Sequence, residues 1–548
     1  MSAATDPPSF SSGPEAPAFP SLDFDNRFTR ELPADPDASN SRRQISNALY
    51  VRVKPQQVAA PRLVACAPEV AQLIGLGAEA CESAAFAEVF SGNRLLAGMD
   101  PHATCYGGHQ FGNWAGQLGD GRAINLGEVR GVDGSLQMLQ LKGAGPTPFS
   151  RTADGLAVLR SSLREFLCSE AMHHLGVPTT RALSLVLTGE QVMRDMLYDG
   201  HPALEPGAVV CRVAPTFVRF GHFQMLSARG EEALLRQFTD FIIVTEFSHL
   251  FPGRDLQVGQ VTVDDYVVWF RNVCKLTAAM VVEWLRVGFV HGVMNTDNMS
   301  VTGLTIDYGP YGWLDDYDPD WTPNTTDAGQ RRYRFGQQAA IAQWNLMQLA
   351  NAILPLLGQP EPLEEALAEY ARTYQQLAAN MLAAKLGLPA VDGAEDMALF
   401  EDLEKTLCSA ETDMTLFYRA LMQISPVDTP DSALATLGVA FYDADAVNGS
   451  IRSGFLGWLE RYIGRISELE PQARRSQMQQ ANPKYVLRNY LAQLAIDDAE
   501  QGDFGKVHEL LDLLRRPYDE QPEHEQYAAR RPDWARTRVG CSQLSCSS

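Results

Sequence analysis

The feature that most constrains the fold is a polar loop set between a long apolar helix and a tight turn. Apolar residues recur at helical spacing over residues 264–286 and predict a helix that leads directly into the loop beginning at His291. The Thr302-Gly303 pair then predicts the turn of a hairpin that carries Asn298 on one side and Asp307 on the other. An amide and a carboxylate are therefore expected beside the end of a buried helix.

This segment resembles the catalytic segment of protein kinases, with one residue changed. Kinases have a His-Arg-Asp loop with an asparagine seven positions after the histidine, then an Asp-Phe-Gly sequence, and that asparagine and final aspartate hold the magnesium ions of ATP. Asn298 lies seven positions after His291, and Asp307-Tyr308-Gly309 replaces Asp-Phe-Gly, but Val293 occupies the position of the catalytic base. The resemblance implies a site that binds a nucleotide and performs different chemistry.

Composition argues against several classes of protein. The chain of 548 residues is 45% hydrophobic and 20% charged, which suits a globular protein of two or three units. Its formal net charge of −22 argues against nucleic acid and anionic membranes as partners, and no apolar run is long enough to predict a membrane span. The nine cysteines form neither a disulfide framework nor a zinc pattern, so a reducing compartment fits best.

Four regions of an α+β protein are expected along the chain. Residues 1–45 are rich in Pro, Ser, Ala and Asp, which predicts a disordered leader without a basic targeting segment. Residues 46–255 are predicted to form a β-rich N-terminal lobe with the nucleotide-binding motifs, and residues 256–515 a large helical lobe with the catalytic loop. Residues 516–548 are predicted to form a polar, mobile tail in which the thiols of Cys541 and Cys546 are accessible.

A glycine-rich stretch supplies the first candidate ligand-binding residues. Gly119, Gly121 and Arg122 lie just before a predicted strand, where backbone N–H groups could approach phosphate oxygens and the guanidinium could clamp them. Glycine-rich turns are more often simple hairpins, and this alternative stays open.

A lysine and a glutamate form the second candidate. Residues 136–142 predict a strand that ends in Lys142, and residues 155–175 predict a helix with Asp154 as its N-cap. Glu165 on that helix could reach back to orient Lys142 toward phosphates; the alternative is an exposed ion pair of little energetic value.

Two arginines are unusual because they lie among apolar residues of an acidic protein. Arg212 and Arg219 need anionic partners if they are buried. The partner is either an internal carboxylate, which is favoured, or a bound phosphate.

Taken together, these motifs resemble the selenoprotein O (SelO, also YdiU) family. The matching motifs extend over most of the chain and include Leu118-Gly119-Asp120-Gly121-Arg122, Leu141-Lys142-Gly143-Ala144-Gly145, Asp154-Gly155, Val218-Arg219-Phe220-Gly221-His222-Phe223 and Asn295-Thr296-Asp297-Asn298-Met299-Ser300. The resemblance implies a protein-kinase-like bilobal fold that transfers AMP from ATP to Ser, Thr or Tyr hydroxyls of protein substrates, with release of diphosphate. ATP would bind inverted relative to kinases, so that its α-phosphorus faces the acceptor.

The resemblance also implies roles for individual residues. Those implied to bind the nucleotide are Gly119, Gly121, Arg122, Lys142, Asp154, Gly155, Arg212 and Arg219, with Glu165 as the partner of Lys142. Asn298 and Asp307 would ligate Mg²⁺, with Mn²⁺ as an alternative ion, and Asp297 would accept the proton.

The implied partners are ATP and hydroxyl-bearing protein substrates, with redox-related proteins as candidates. The cytoplasm is the expected compartment, or the mitochondrion if the source is eukaryotic. Some family members carry a cysteine in the activation segment that can pair with a tail cysteine, but residues 320–324 contain none, which puts such a disulfide in doubt. Two other functions stay open: a phosphate-transferring atypical kinase, disfavoured by Val293, and a catalytically silent nucleotide-binding scaffold, disfavoured by the retained metal ligands.

Overall fold

The protein has an α+β fold in the computed structural model, which describes residues 19–196, 199–389, 391 and 393–545. Strands β1 to β11 cover, in order, Tyr50–Arg52, Arg62–Cys66, His102–Thr104, Gly107–Gln110, Asn113–Gln117, Ala123–Arg130, Leu136–Lys142, Arg181–Arg194, Ala203–Ala214, Phe289–Val290 and Gly312–Trp313. Seven of them form one antiparallel sheet in the order β1-β3-β6-β7-β9-β8-β2. The pairs β4–β5 and β10–β11 are separate antiparallel ribbons.

Helices dominate the chain after β9. Helices α1 to α17 cover, in order, Arg27–Glu31, Pro68–Leu73, Ala78–Glu82, Ala84–Ser91, Leu159–His174, Phe220–Ala228, Glu232–Glu246, Val263–Val287, Gln338–Leu357, Glu361–Leu386, Gly393–Cys408, Met414–Leu421, Pro430–Leu437, Gly449–Ile466, Pro471–Ala481, Asn489–Glu500 and Gly505–Leu514. The order of a sheet first and helices afterwards agrees with the regions expected from the sequence, although the boundary at residue 255 stays a prediction.

Helix α8 leads directly into the polar loop, as predicted. Its N-terminus is fixed by a capping box in which the Thr262 hydroxyl accepts from the Asp265 backbone N–H and the Asp265 side chain accepts from Thr262. Gly288 ends the helix in the left-handed region at φ 76°, which glycine adopts without steric cost. The loop therefore begins at a fixed point beside the buried core.

Two hydrophobic clusters hold these elements together. The larger one contains the sheet, α5, α8 and α9, and reaches helices α16 and α17. The smaller one is built from α11, α12 and α14, with Phe417, Trp458 and Leu459 fully buried at its centre. The sheet and the polar loop rest on the larger cluster.

The predicted disordered leader is wrong for residues 19–45, while residues 1–18 lie outside the described residues. Phe28 is buried and its ring packs on the rings of Tyr50, His102 and Phe241. Arg27 forms an ion pair with Glu128 at 3.0 Å. A few spaced apolar residues are enough to anchor a stretch whose average composition is polar.

The predicted mobile tail is also wrong for residues 516–545. Leu544 is fully buried, its backbone pairs with Asn324, and the Arg531 guanidinium contacts Asp316 at 3.0 Å. The Cys541 side chain is buried, so the predicted accessibility of its thiol is wrong, whereas Cys546 lies outside the described residues.

Two local predictions also differ from the structure. The turn at Thr302 forms, but among the described residues its flanks pair elsewhere, Ser300 with Arg219 and Thr305 with Thr179, so no hairpin is made. Helix α5 begins at Leu159 because the preceding residues are extended and pair with the sheet region, and its N-cap is therefore Val158.

Candidate active site

A cavity of about 440 Å³ lies where one end of the sheet faces the polar loop. Most of the residues predicted from the sequence as functional line it, namely Gly119, Gly121, Arg122, Lys142, Arg212, Arg219, Asp297, Asn298 and Asp307. Residues separated by up to 188 positions in the chain therefore meet in one place, as Gly119 and Asp307 do.

The register of two neighbouring strands places the buried cations. Gln140 pairs with Arg212 across β7 and β9, and Lys142 lies two residues further along β7. Side chains two residues apart on a strand point to the same face, as do directly paired residues on neighbouring strands. Gln140, Lys142 and Arg212 therefore share one face of the sheet, and the Arg212 guanidinium donates to the Gln140 amide oxygen.

Glu165 is buried behind these cations and pairs with both of them. Its carboxylate lies 2.7 Å from Lys142 Nζ and 3.0 Å from Arg212 Nη1. Glu165 is only 3% exposed, so the alternative of a surface ion pair is excluded. Burial lowers the pKa of Lys142 although Glu165 opposes that shift, so the glutamate favours the charged lysine.

Asp307 is the carboxylate around which the cations converge. Arg212 Nη1 lies 2.5 Å from Asp307 Oδ1, Arg219 contacts Oδ2, and Lys142 Nζ lies 4.0 Å from Oδ1. Burial alone would raise the pKa of Asp307, but the charges of Arg219, Arg212 and Lys142 outweigh it and hold the pKa well below its ordinary value. The internal carboxylate favoured as the partner of both arginines is therefore Asp307, together with Glu165 for Arg212.

The backbone of Asp307 is itself unusual. Its φ is +59°, in the left-handed region that only a few per cent of non-glycine residues adopt and in which Asp and Asn are enriched. The carboxylate retains 23% side-chain exposure, which is the part that faces the cavity. This conformation directs a negatively charged group into a space lined with cations.

Asp297 is a second carboxylate with a different environment. It lies on the 3₁₀ turn Thr296–Asn298, and its Oδ2 accepts from Gln110 Nε2 at 3.2 Å. Its Oδ1 is buried and has no hydrogen-bond partner among the described residues. Burial raises the pKa of Asp297 to about 6, so the group can exchange a proton near neutral pH.

A close approach of the β4–β5 ribbon covers Asp297. A Cβ added at Gly108 would lie 2.5 Å from Asp297 Oδ1, so only glycine allows this contact. The ribbon is tied to the loop because the backbone N–H of His109 donates to Thr296 Oγ1 at 2.7 Å. The ribbon thus excludes water from one side of the carboxylate.

Asn295 and Tyr333 make a second set of contacts that no sequence pattern predicts. The Tyr333 hydroxyl donates to Asn295 Oδ1 at 2.7 Å and accepts from the Phe111 backbone N–H at 2.9 Å. These bonds join the polar loop, the ribbon and the segment after Gly309. The density of glycine after Tyr106 was the only available signal, and it did not reveal which loop the ribbon would meet.

The glycine-rich stretch forms a loop that packs under Phe149 and is anchored by Asp120. A Cβ at Gly119 would lie 2.6 Å from the Phe149 ring, and one at Gly121 would lie 2.9 Å from the Phe149 carbonyl oxygen. Asp120 Oδ2 accepts from Thr104 Oγ1 at 2.6 Å. The Arg122 side chain lines the cavity and makes no hydrogen bond or ion pair with any described residue, so it is available to an anion.

Asp154 and Gly155 do not line the cavity. The Asp154 carboxylate pairs with Arg194 at 2.7 Å and is 44% exposed, while the neighbouring Ala153 reaches the cavity wall. Gly155 has φ +77°, and a Cβ there would lie 2.4 Å from backbone atoms of Gly145 and Pro146. The implied part of Asp154 and Gly155 in nucleotide binding stays a prediction. The contacts that the two residues make hold the chain in place beside the cavity.

Replacing Gly155 with alanine should therefore destabilise the protein by about 2 kcal/mol or more, because the new Cβ collides with a backbone that cannot move freely. Gly134→Ala is the matched control, since Gly134 also has positive φ, +83°, but has open space around its Cβ position. Thermal unfolding should show a clearly larger loss for Gly155→Ala. Equal losses would mean that backbone conformation alone matters at Gly155.

The residues predicted as metal ligands supply oxygen donors that suit Mg²⁺. Asn298 Nδ2 donates to the Val293 carbonyl at 2.8 Å, which leaves its Oδ1 as the free ligand atom, and Asp307 supplies a carboxylate with a strongly lowered pKa. No group of three or more His, Cys, Asp or Glu side chains suited to a metal occurs in the described part of the chain. That fits an ion held by one or two protein ligands, with phosphates and water as the others.

Comparison with known proteins identifies the class. Residues 37–515 match the family described as "Protein adenylyltransferase SelO". Three relatives named "Protein nucleotidyltransferase YdiU" come from Azoarcus sp. (strain BH72), Rhodopirellula baltica and Xanthomonas axonopodis pv. citri, and are 60%, 57% and 58% identical to the chain. Each match covers 96% of this chain and 99% of the relative.

These matches define a nucleotidyltransferase. The chain belongs to the SelO family of protein adenylyltransferases, and the family predicted from the motifs is confirmed. In the described part of the chain, no helix combines the length and apolar character needed to cross a membrane.

Proposed function

We propose that this protein transfers AMP from ATP to Ser, Thr or Tyr hydroxyls of protein substrates and releases diphosphate. One observation carries the proposal: the cavity combines a cluster of buried cations around Asp307 with a separate carboxylate, Asp297, whose pKa is about 6 and whose Oδ1 lacks a partner among the described residues. The first group suits phosphates and the second suits a hydroxyl that must lose its proton.

A protein-kinase-like bilobal arrangement with inverted ATP belongs to the same proposal. The Lys142–Glu165 pair between β7 and α5, and the position of Asp307 shortly after the polar loop, support it. In the inverted orientation the outer phosphates lie against Lys142, Arg212 and Arg219, and the α-phosphorus faces Asp297. Val293, only 8% exposed, supplies no base for γ-phosphate transfer.

The proposed step is a displacement at the α-phosphorus in which Asp297 accepts the proton. The acceptor hydroxyl gives its proton to Asp297 while its oxygen forms a bond to the α-phosphorus. The bond from the α-phosphorus to the bridging oxygen breaks, and diphosphate leaves with the electron pair. Negative charge grows on the leaving group, and the guanidinium groups of Arg212 and Arg219, which are held in place by carboxylates, stabilise it together with that of Arg122.

Asn298 and Asp307 would hold the divalent ion, Mg²⁺ or Mn²⁺. When bound, the ion would neutralise phosphate charge and fix the phosphates in position. Gly119 and Gly121 give the loop its close packing, and Asp154 and Gly155 support the segment next to Ala153. The proposed acceptors include redox-related proteins, and the proposed compartment is the cytoplasm, or the mitochondrion for a eukaryotic source.

The proposal is tested by following diphosphate release with a pyrophosphatase-coupled phosphate assay. Wild-type protein with ATP, Mg²⁺ and a hydroxyl-rich acceptor such as unphosphorylated casein should release diphosphate and gain adenylyl groups in equal amounts, as measured by mass spectrometry. Release of phosphate without the coupling enzyme, with no adenylyl group on any protein, would contradict it.

Removing the charge of Lys142 from the buried Lys142–Glu165 pair should weaken both ATP binding and turnover. Lys142→Met is expected to reduce kcat/KM on the order of 10²-fold, because the phosphates lose a desolvated positive charge. Glu165→Gln should cost about tenfold, since the lysine keeps its charge but loses its orienting partner. The measurement is an ATP titration of the AMP-transfer rate.

Lys275→Met is the matched control, because Lys275 also forms a lysine–glutamate pair, with Glu369 at 2.9 Å, but is 52% exposed. It should behave like wild type. Unchanged ATP titration curves for Lys142→Met would exclude the lysine from the nucleotide site.

A further inference from the structure

A second cavity, of about 190 Å³, lies in the helical part of the protein and shares no residue with the first. It is enclosed by α9, α10, α11 and α12 and by the segments that hold Tyr317 and Phe335. Aromatic and apolar residues such as Phe335, Met381 and Leu382 share its wall with the charged groups of Lys385 and Glu404. The cavity is smaller than the usual site for a drug-sized ligand, so it suits only a small molecule with both an apolar body and a polar group.

One amine lies in this apolar wall without a counter-charge. Lys385, in the last turn of α10, is only 2% exposed. Its Nζ donates to the Arg286 carbonyl oxygen at 2.8 Å and lies 3.9 Å from the centroid of the Tyr418 ring. No carboxylate of the described residues lies within ion-pair distance of Lys385, which is rare for a lysine buried to this degree.

Three phenol groups in the same wall also lack protein partners. The hydroxyls of Tyr317, Tyr374 and Tyr418 make no hydrogen bond with any described residue, although each residue lines the cavity. Tyr418 is buried, whereas Tyr317 and Tyr374 are partly exposed. Three O–H donors and one amine therefore lie in the wall, and among its described residues Glu404 supplies one carboxylate that could accept from them.

The charges at the cavity limit what can fill it. Among the described residues of the wall, Lys385 is the only one with a cationic side chain, so one negative charge can be matched and a second would be left buried and unpaired. Glu404 lies in the wall and is exposed, so it repels further negative charge from the entrance. A monoanion is favoured over a phosphate, and a planar ring suits the aromatic walls.

We propose that this second cavity binds a small aromatic carboxylate, with Lys385 as the counter-charge and the tyrosine hydroxyls as additional donors to its oxygens. The proposal does not depend on AMP transfer. Burial and the nearby charge of Arg286 outweigh the opposing charge of Glu283 and hold the pKa of Lys385 well below its ordinary value, so a bound carboxylate would favour the charged form of the amine.

The test uses benzoate as the probe and benzyl alcohol as its uncharged counterpart, with binding followed by saturation-transfer NMR on the full chain. Benzoate should bind with a Kd on the order of 1 mM, and benzyl alcohol at least tenfold more weakly. Lys385→Met should weaken benzoate binding at least tenfold. Lys405→Met, which removes a lysine that is 72% exposed on α11, should change nothing.

A second variant tests the proposal in case Lys385→Met does not fold. Ala378→Phe fills the cavity while leaving the amine in place and should abolish benzoate binding with normal ATP binding at the first cavity. The proposal is overturned if benzoate shows no saturable binding below about 20 mM, if benzyl alcohol binds equally well, or if either cavity variant that folds binds benzoate like wild type.

Discussion

Asp307→Asn should reduce AMP transfer on the order of 10³-fold or more. The carboxylate is the contact shared by Arg212, Arg219 and Lys142 and the proposed anionic ligand of the metal ion. Asparagine keeps the shape of the side chain and tolerates the φ of +59°, so the backbone is retained while the charge is lost. Initial rates of diphosphate release give the measurement.

Asp402→Asn is the control for Asp307→Asn. Asp402 also pairs with two cations, Lys405 at 2.9 Å and Arg461 at 3.0 Å, but it lies on the surface of the protein, away from both cavities. Its activity should match wild type. If Asp307→Asn, with an unchanged thermal unfolding midpoint, stayed within about threefold of the wild-type rate, Asp307 would not be the electrostatic centre of the site.

Asp297→Asn should lower kcat by about 10²- to 10⁴-fold while leaving ATP affinity nearly unchanged, because it removes the proton acceptor without touching the phosphate-binding cations. A loss of kcat with unchanged ATP affinity would distinguish the role of Asp297 from that of Asp307, which is proposed to hold the metal ion. ATP affinity measured by calorimetry, together with kcat, tests this.

The pH dependence gives an independent test of Asp297. Burial raises its pKa to about 6, and the deprotonated form is the one that accepts a proton, so kcat/KM should rise with pH through about 6 and then level off. The residual activity of Asp297→Asn should not show this rise. A wild-type kcat/KM that is flat between pH 5 and 8 would assign the proton to another group.

The sequence predicted the parts of the site whose signal is local. The α8 helix, the strand ending in Lys142 and the spacing of Asn298 and Asp307 all follow from short-range patterns, and the structure brings these residues to one cavity. Strand and helix positions alone do not reveal burial, so the sequence does not distinguish a buried from an exposed Lys142–Glu165 pair. In the structure the pairing of β7 with β9 places Lys142 in the interior, where Glu165 contacts it.

Long-range packing explains what could not be predicted. Tyr333 contacts Phe111, 222 positions away, and Asn295, 38 positions away, and no local pattern connects these residues. The burial of Phe28 and Leu544 at the two ends of the described chain depends on surfaces formed by distant elements, so composition wrongly suggested disorder there. Helix α5 begins at Leu159 and not at residue 155, because Leu156 and Val158 pair with other extended segments. Asp154 therefore does not cap the helix and pairs with Arg194 instead.

We propose that the α-phosphorus of ATP, and not the γ-phosphorus, is transferred to protein hydroxyls. The most direct test incubates the wild-type protein and one acceptor with Mg²⁺ and ATP labelled at either the α- or the γ-phosphate, then counts acid-stable label on protein. We predict covalent label from α-labelled ATP alone, lost in Asp307→Asn. Covalent label from γ-labelled ATP would show instead that the site works as a kinase.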